Sequence, residues 1–210
     1  LKAFEETERL RLTPMAFFRE TLFCCSDLCV CIGGRQILSN LTFSMKQGER
    51  VAVSGANGAG KSTFLKVIAG LLPAEGEIDL SPRLKISYVP QTFARRGTLS
   101  EYAAEYGIDE PYFKAILSKF GFSGRDLCRD LSEMSEGQKK KAALARSLCE
   151  KAHLYIWDEP LNYLDIASRE QIEDAIIASD ASILFVEHDA AFCEKIATRT
   201  IRFSATDTTS

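Results

Sequence analysis

The sequence predicts an α/β fold with a mainly parallel sheet, and two observations carry the prediction. A glycine-rich loop, residues 55–62, follows the apolar run 51–53 and precedes a helix-like run over residues 63–69. Further along the chain, apolar strands at 154–157 and 183–186 alternate with helical segments, as parallel strands joined by crossover helices do. We therefore expect a parallel core to which a β-rich start and a helical insert are added.

The composition limits the class of protein. The chain has 210 residues, of which 46% are hydrophobic, and this suits one large domain with an ample core. A net charge of −3 leaves no global basic field, so any contact with nucleic acid must come from local patches. No apolar run reaches the roughly 18 residues of a membrane span. Seven cysteines favour a reducing cytoplasm, and Leu1 in place of Met indicates a piece of a longer protein.

The sequence pattern changes near residue 19, from a charged, helix-prone stretch to short predicted strands. Residues 1–18 are charged and helix-prone, so we interpret them as the end of a linker or a helical arm. Residues 19–203 are predicted to form one domain, and Cys24, Cys25, Cys29 and Cys31 to be small buried hydrophobes rather than metal ligands. The predicted strands before the glycine-rich loop lie at 22–32, 36–38 and 41–45, with turns between them.

The part after the glycine-rich loop is predicted to alternate between strands and helices. A pair of short strands is expected around 76–80 and 85–89, and a helical subdomain over about 98–150. A closing helix and strand complete the domain, and residues 204–210 form a polar tail. The predicted helices of this part lie at 99–106, 112–120, 136–150 and 168–178.

The glycine-rich loop has the residues of a phosphate-binding loop, and we call residues 55–62 the phosphate loop. Glycines allow backbone N–H groups to curl around phosphates, and the following helix presents a positive dipole end to them. Lys61 would neutralise the β- and γ-phosphates, and the Ser62 hydroxyl would bind Mg²⁺. A glycine-rich turn that binds nothing is the alternative. The predicted nucleotide-binding residues are Gly55, Asn57, Gly58, Ala59, Gly60, Lys61, Ser62 and Thr63.

Polar residues follow three of the predicted core strands. Asp158 and Glu159 come directly after the strand 154–157, where Asp158 would bind Mg²⁺ and Glu159 would polarise the attacking water. Gln91 follows another strand and would reach the metal, and His188 would contact the γ-phosphate. The alternatives are a solvated acidic turn for the carboxylates, and a structural role for Gln91 and His188.

A second anion site is predicted where the helix after the insert begins. Ser135 would cap this helix, whose exposed N–H groups could face a phosphate. One domain is not expected to wrap both this helix start and the distant Ser62 around the same nucleotide, so the phosphate would belong to another domain. Lys139, Lys140 and Lys141 follow and would touch RNA phosphates or form a solvated face.

These motifs, in this order, resemble the ATP-binding domain of the ABC superfamily over about residues 22–203. The resemblance implies a P-loop NTPase fold with an N-terminal antiparallel β subdomain and a small helical subdomain. It also implies that two such domains sandwich ATP and Mg²⁺, and that hydrolysis opens the sandwich. By this resemblance residues 55–62 are the Walker A motif, residues 154–158 are the Walker B motif, and Glu159 is the catalytic carboxylate. Gln91 belongs to the Q-loop, His188 is the switch histidine, and residues 161–165 form the D-loop, with Asp165 near the nucleotide. Residues 135–138 are the signature motif, in which Ser135, Gly137 and Gln138 would contact a partner's nucleotide.

Three segments, residues 157–166, 137–141 and 186–189, are similar in sequence to the ABC-F branch, especially its ribosome-protecting, antibiotic-resistance type. This implies the second ATPase domain of a cytoplasmic protein whose partners are a first ABC domain, the ribosome with its rRNA, and tRNA. A homodimer would replace the first domain for the isolated fragment, which we expect to hydrolyse ATP poorly. The alternatives are the ATP-binding subunit of a membrane transporter and a DNA-repair or chromosome-type ATPase.

Two residues depart from the family pattern. Ile32 stands where an aromatic residue normally stacks on adenine, which puts the base preference in question. Glu136 replaces a glycine of the signature, and its carboxylate is expected to point away from a partner's triphosphate.

Overall fold

The structure, a computed structural model, describes residues 9–203 and confirms the predicted α/β fold with its mainly parallel sheet. Its strands are β1 Thr13–Pro14, β2 Thr21–Ile32, β3 Arg35–Lys46, β4 Arg50–Gly55, β5 Glu75–Leu80, β6 Ile86–Val89, β7 Lys151–Ala152, β8 Leu154–Asp158, β9 Ile183–Val186 and β10 Arg199–Phe203. Its α-helices are α1 Lys61–Ile68, α2 Leu99–Glu105, α3 Glu110–Lys119, α4 Glu136–Cys149, α5 Ile166–Ile177 and α6 Ala190–Ile196. The predicted helices and core strands agree with these bounds to within about two residues.

A five-stranded sheet forms the centre, in the order β10-β4-β9-β8-β6, and every neighbouring pair in it is parallel. The strands β8 and β9 are buried along their whole length because helices and the second sheet cover both faces. Alternate side chains enter two separate hydrophobic clusters: Tyr155 and Trp157 pack towards the helical side, and Leu154 and Ile156 towards the other. The carboxyl ends of all five parallel strands therefore meet at one edge.

The β-rich start forms a three-stranded antiparallel sheet in the order β3-β2-β5, as the sequence predicts. The two short strands expected at 76–80 and 85–89 are present but do not pair with each other, because β5 pairs with β2 whereas β6 joins the parallel sheet beside β8. The two strands expected at 36–38 and 41–45 are one continuous strand, bent at Asn40 with φ 46°. The expected burial holds for Cys25, but Cys31 at the end of β2 is exposed.

The helical insert packs on one face of the parallel sheet. Helix α2 begins with a capping box between Thr98 and Glu101, and α3 is capped by Asp109, whose side chain accepts from the amide of Tyr112. Two short 3₁₀ turns lead from α3 into α4. The apolar faces of these helices share one cluster with the sheet, so the insert is joined to the core through a continuous interior.

The segment before the antiparallel sheet is extended. No residue from 9 to 18 is helical, so the helical form of the predicted arm is wrong for that stretch. Instead β1 pairs in parallel with β7, and Leu10, Leu12 and Phe17 are buried. These apolar side chains fix the segment to the domain. The remainder of the predicted arm, residues 1–8, and the predicted tail, residues 204–210, lie outside the described residues.

Candidate functional site

The phosphate loop connects β4 to α1, and its glycines are required by geometry. Gly58 and Gly60 have φ angles of 79° and 87°, in the left-handed region that favours glycine. A Cβ at Gly60 would lie 2.5 Å from Leu38 Cδ2 and 2.9 Å from the carbonyl oxygen of Ile37. The loop therefore packs directly on β3, and only glycine fits at this crossing.

Lys61 closes the phosphate loop on itself. The residue is 7% exposed, and its ammonium donates to the carbonyl oxygens of Gly55 at 2.8 Å and Ala56 at 3.0 Å. As the first residue of α1, it adds its charge to the positive end of the helix dipole. The loop thus concentrates positive potential where an anionic group would bind.

A cleft of about 720 Å³ opens in front of the phosphate loop. It brings the loop together with the carboxyl ends of β6, β8 and β9, as the sequence predicts for parallel strands. The residues that line it are Arg35, Ile37, Asn57, Gly58, Gly60, Lys61, Ser62, Thr63, Gln91, Glu159, Asn162 and His188. Of the remaining loop residues, Gly55 ends β4 and Ala59 is buried.

The carboxylate of Glu159 is held by side chains from three loops. Its Oε1 accepts from Gln91 Nε2 at 3.0 Å and lies 3.4 Å from His188 Nε2, and its Oε2 accepts from Asn162 Nδ2 at 2.7 Å. The backbone of Glu159 has φ 53°, a left-handed conformation that costs of order 1–3 kcal/mol for a residue other than glycine. The turn after β8 therefore directs this carboxylate into the cleft.

Asp158 is fully buried, and neither of its carboxylate oxygens accepts a hydrogen bond from any residue in 9–203. Burial raises the pKa of Asp158, and the neighbouring Ser62 hydroxyl and Lys140 ammonium oppose that rise. A buried carboxylate without a partner is costly, and a divalent cation would satisfy it.

The donor set around Asp158 suits Mg²⁺. The Ser62 hydroxyl lies near it, and Gln91 lines the same cleft as Ser62, so a carboxylate, a hydroxyl and an amide supply the hard oxygen ligands that Mg²⁺ prefers. No cluster of three or more His, Cys, Asp or Glu side chains within the described part of the chain could hold a metal by itself. This sparse donor set fits an ion that keeps most of its ligands from phosphate and water.

The helix start at Ser135 is well built but does not line the cleft. The Ser135 hydroxyl accepts from the amide of Gln138 at 3.2 Å, and Gln138 Oε1 accepts from the amide of Ser135 at 3.1 Å. A Cβ at Gly137 would lie 3.0 Å from Cγ of Tyr163, so the turn after β8 packs closely on α4. Contact of Ser135, Gly137 and Gln138 with a nucleotide stays a prediction.

Besides the buried Asp158, two other predicted residues lie outside the cleft lining. Ile32 is 49% exposed at the end of β2, and Asp165 caps α5 by accepting from the amide of Ser168 at 2.8 Å. That hydrogen bond lowers the pKa of Asp165. Their predicted nucleotide contacts remain predictions.

Sequence reasoning missed three of the lining residues. Arg35 and Ile37 enter the cleft because β3 crosses the phosphate loop, which only the tertiary pairing decides. Asn162 lies three residues after Glu159, and that spacing could have identified it as a partner of the carboxylate.

The lysine run on α4 is not a uniform solvated face. Lys139 pairs with Glu136 at 2.8 Å, so the carboxylate of Glu136 is held along its own helix. Lys141 donates to the carbonyl oxygen of Phe120 at 2.8 Å. Lys140 is 3% exposed, so a solvated or RNA-contacting role is wrong for this residue. Burial lowers the pKa of Lys140 to about 8, and the carboxylates of Asp158, Glu159 and Glu187 oppose that fall.

Comparisons with known proteins agree on one family. The profile of a family described as "ABC transporter" matches residues 38–162. "Putative ATP-binding protein YdiF" of Bacillus subtilis (strain 168) is 37% identical over 80% of this chain and 27% of its own length. "Ribosome protection protein VmlR" of the same organism is 34% identical over 78% of this chain and 30% of its own length. The chain thus spans about a third or less of these relatives.

The fold is shared with a solved structure. "Structure of ATP binding subunit of ABC transporter" superimposes with a TM-score of 0.70 at 29% identity, covering 87% of this chain and 86% of that one. Among residues 9–203, none of the helices has the length and apolar character needed to cross a membrane.

Proposed function

The chain belongs to the ABC family of ATP-binding domains, in its ABC-F branch, and from this premise we propose that it hydrolyses MgATP to drive an action on the ribosome. The observation that carries the enzymatic part is the Glu159 carboxylate, which Gln91, Asn162 and His188 hold in the cleft that faces the phosphate loop. A carboxylate fixed beside a triphosphate site is placed to orient and polarise an attacking water.

The other residues in and beside the cleft would bind the phosphates, the metal ion and the nucleoside. Lys61 and the backbone of the phosphate loop bind the β- and γ-phosphates, and His188 contacts the γ-phosphate while it orients Glu159. Mg²⁺, held by Ser62, Gln91 and Asp158, would neutralise charge on the phosphates. Arg35 and Ile37 line the cleft from β3 and would contact the nucleoside.

A second ABC domain completes the site in this proposal. Ser135, Gly137 and Gln138 form an ordered helix start outside the cleft of their own chain, and this supports their binding to a nucleotide held by a partner. We propose a first domain of the same protein as that partner, with residues 1–18 as the end of the connecting linker, 19–203 as the ATP-binding domain and about 98–150 as its helical subdomain. A homodimer is the corresponding arrangement for the isolated fragment.

The ribosome is the proposed target because a similar protein carries ribosome protection in its name. The finer assignment, to antibiotic resistance or to a step of translation in the cytoplasm with contacts to rRNA and tRNA, belongs to the full-length protein. The chain's own charge of −3 supplies little attraction to RNA, so other parts of the protein would provide those contacts.

Trapping of the ATP-bound state tests the proposal. In the full-length protein, Glu159→Gln should bind MgATP, fail to hydrolyse it and co-sediment with ribosomes only when ATP is added. Glu20→Gln is the matched control, since Glu20 is an exposed carboxylate, paired with Lys46 at 2.9 Å and remote from the cleft. It should behave as the wild type, and EDTA should abolish wild-type hydrolysis. Sedimentation of Glu159→Gln with membranes, and not with ribosomes, would refute the ribosomal role in favour of a transporter.

A further inference from the structure

A buried lysine lies where two site loops and a helix meet. Lys140 is on α4 and is 3% exposed. Its ammonium donates to the carbonyl oxygen of Pro90 at 2.5 Å and to that of Asp158. Pro90 immediately precedes Gln91, and Asp158 immediately precedes Glu159. One side chain therefore joins the backbone of both site loops to α4.

Lys140 binds at the point where the ladder between β6 and β8 ends. The strands β6 and β8 are parallel neighbours, and Val89 opposite Trp157 is the last pair of their ladder. Pro90 has no N–H, so it cannot donate a further hydrogen bond to extend the ladder. Beyond this pair, the Lys140 ammonium bridges the carbonyl oxygens of Pro90 and Asp158.

The burial of Lys140 and the carboxylates near it restrict movement of the two carbonyl groups that it binds. A buried ammonium is costly unless its hydrogen bonds are made, so movement of either carbonyl away from Lys140 is opposed. The carboxylates of Asp158, Glu159 and Glu187 lie within electrostatic range and favour the charged lysine. The Glu159 amide donates to the carbonyl oxygen of Val186 at 2.8 Å, so the turn that bears Glu159 is held from two sides.

We propose that Lys140 is a positioning residue for ATP hydrolysis. By holding the carbonyls of Pro90 and Asp158, it sets the separation of the Gln91 amide and the Glu159 carboxylate, whose direct hydrogen bond is 3.0 Å. The inference rests on the proposed ATPase function. Because Lys140 does not line the cleft, its loss slows turnover and leaves nucleotide affinity nearly unchanged.

Steady-state kinetics of the full-length protein separate positioning from packing. The turnover of this site is the ATPase activity that Glu159→Gln removes. Lys140→Met keeps the length of the side chain and deletes its donors, so kcat should fall roughly 10- to 100-fold, as displacements of about 1 Å do, while KM for MgATP changes less than about twofold. Lys140→Arg keeps the charge and the donors and should recover a large part of the lost kcat.

Lys141→Met is the matched control. Lys141 lies on the same helix and donates to a backbone carbonyl, that of Phe120, but contacts neither site loop. Its variant should keep the wild-type kcat. Where Lys140→Met folds poorly in a thermal melt, Lys140→Arg against Lys140→Gln provides the same comparison, with kcat higher for Lys140→Arg.

Three results would overturn the inference. The first is a wild-type kcat in folded Lys140→Met, and the second is an equal loss in Lys141→Met. The third is a loss confined to KM or to thermal stability, which is what a purely structural lysine would produce. Absence of ATP hydrolysis by the wild-type protein would refute the proposed function itself, and this inference with it.

Discussion

The buried ion pair between Arg146 and Glu150 is expected to stabilise the packing of the helical insert against the sheet. Arg146 is 3% exposed and Glu150 6%, and Arg146 Nη1 donates to Glu150 Oε2 at 2.6 Å. Arg146 also donates to the Tyr102 hydroxyl on α2 at 3.2 Å and to the carbonyl of Tyr88 on β6, and Glu150 accepts from the Ser87 hydroxyl. This network therefore links the insert to the edge of the sheet.

Glu150→Gln conserves the volume of the side chain and leaves the Arg146 charge buried without its counter-charge. Breaking a buried pair in this way costs about 3–5 kcal/mol of unfolding free energy, a large share of the roughly 5–15 kcal/mol of a typical domain. Glu133→Gln is the control, since its carboxylate is 65% exposed and 3.9 Å from Arg129, where a loss below about 1 kcal/mol is expected. The double variant Arg146→Met/Glu150→Gln should be more stable than Glu150→Gln alone, because no uncompensated charge remains.

Urea unfolding followed by tryptophan fluorescence measures these differences. Trp157 is the single tryptophan of the chain, is fully buried, and donates to the Ser147 hydroxyl at 2.8 Å beside the ion pair. With an m-value of about 2 kcal/mol/M, the midpoint for Glu150→Gln should fall by roughly 1.5–2.5 M. A loss below about 1 kcal/mol, or a double variant less stable than Glu150→Gln, would refute the reasoning.

Three further predictions concern the phosphate loop and the pH dependence of stability. Lys61→Met should weaken binding of a fluorescent ATP analogue at least about 100-fold with little change in thermal stability, and unaltered affinity would contradict its assigned role. Gly60→Ala should lower the free energy of unfolding by about 2–5 kcal/mol in chemical denaturation, because its Cβ would lie 2.5 Å from a β3 side chain and its backbone has a left-handed φ. Gly70→Ala, where φ is 72° and no atom lies within 4 Å of the added Cβ, should lower it by only about 1–2 kcal/mol. Burial and Lys85 lower the pKa of His153, whose Nδ1 accepts from the Lys85 amide at 2.8 Å. Its contribution is therefore present above about pH 6.5 and lost as the pH falls through the lowered pKa, so the melting temperature should fall more between pH 7.5 and 5.5 in wild type than in His153→Gln.

The site is the part of the molecule that the sequence predicts best. Residues of the phosphate loop, together with Gln91, Glu159 and His188, meet in one cleft because each follows a parallel strand, and parallel strands end at the same edge. Such residues are recognisable from local pattern alone, since an apolar run followed by a polar residue specifies both the strand and its end.

Residues whose role depends on packing between distant segments were less predictable. Lys140 looked like part of a charged helix face, yet it is buried because the ends of β6 and β8 both lie within reach of its ammonium. The segments 76–80 and 85–89 follow each other closely in the sequence, yet each pairs with a strand far away in the sequence. Nothing within a short window distinguishes these outcomes.

By itself the sequence determined the fold class, the family and most of the residues that line the cleft in front of the phosphate loop, because hydrophobic periodicity and glycine placement are local properties. Only the tertiary structure decided that residues 9–18 lie along the domain as an extended segment, that Arg35 and Asn162 enter the cleft, and that Lys140 bridges two strand ends. These outcomes depend on which buried polar and apolar groups find partners across the chain, and that is set by the packing of the whole domain.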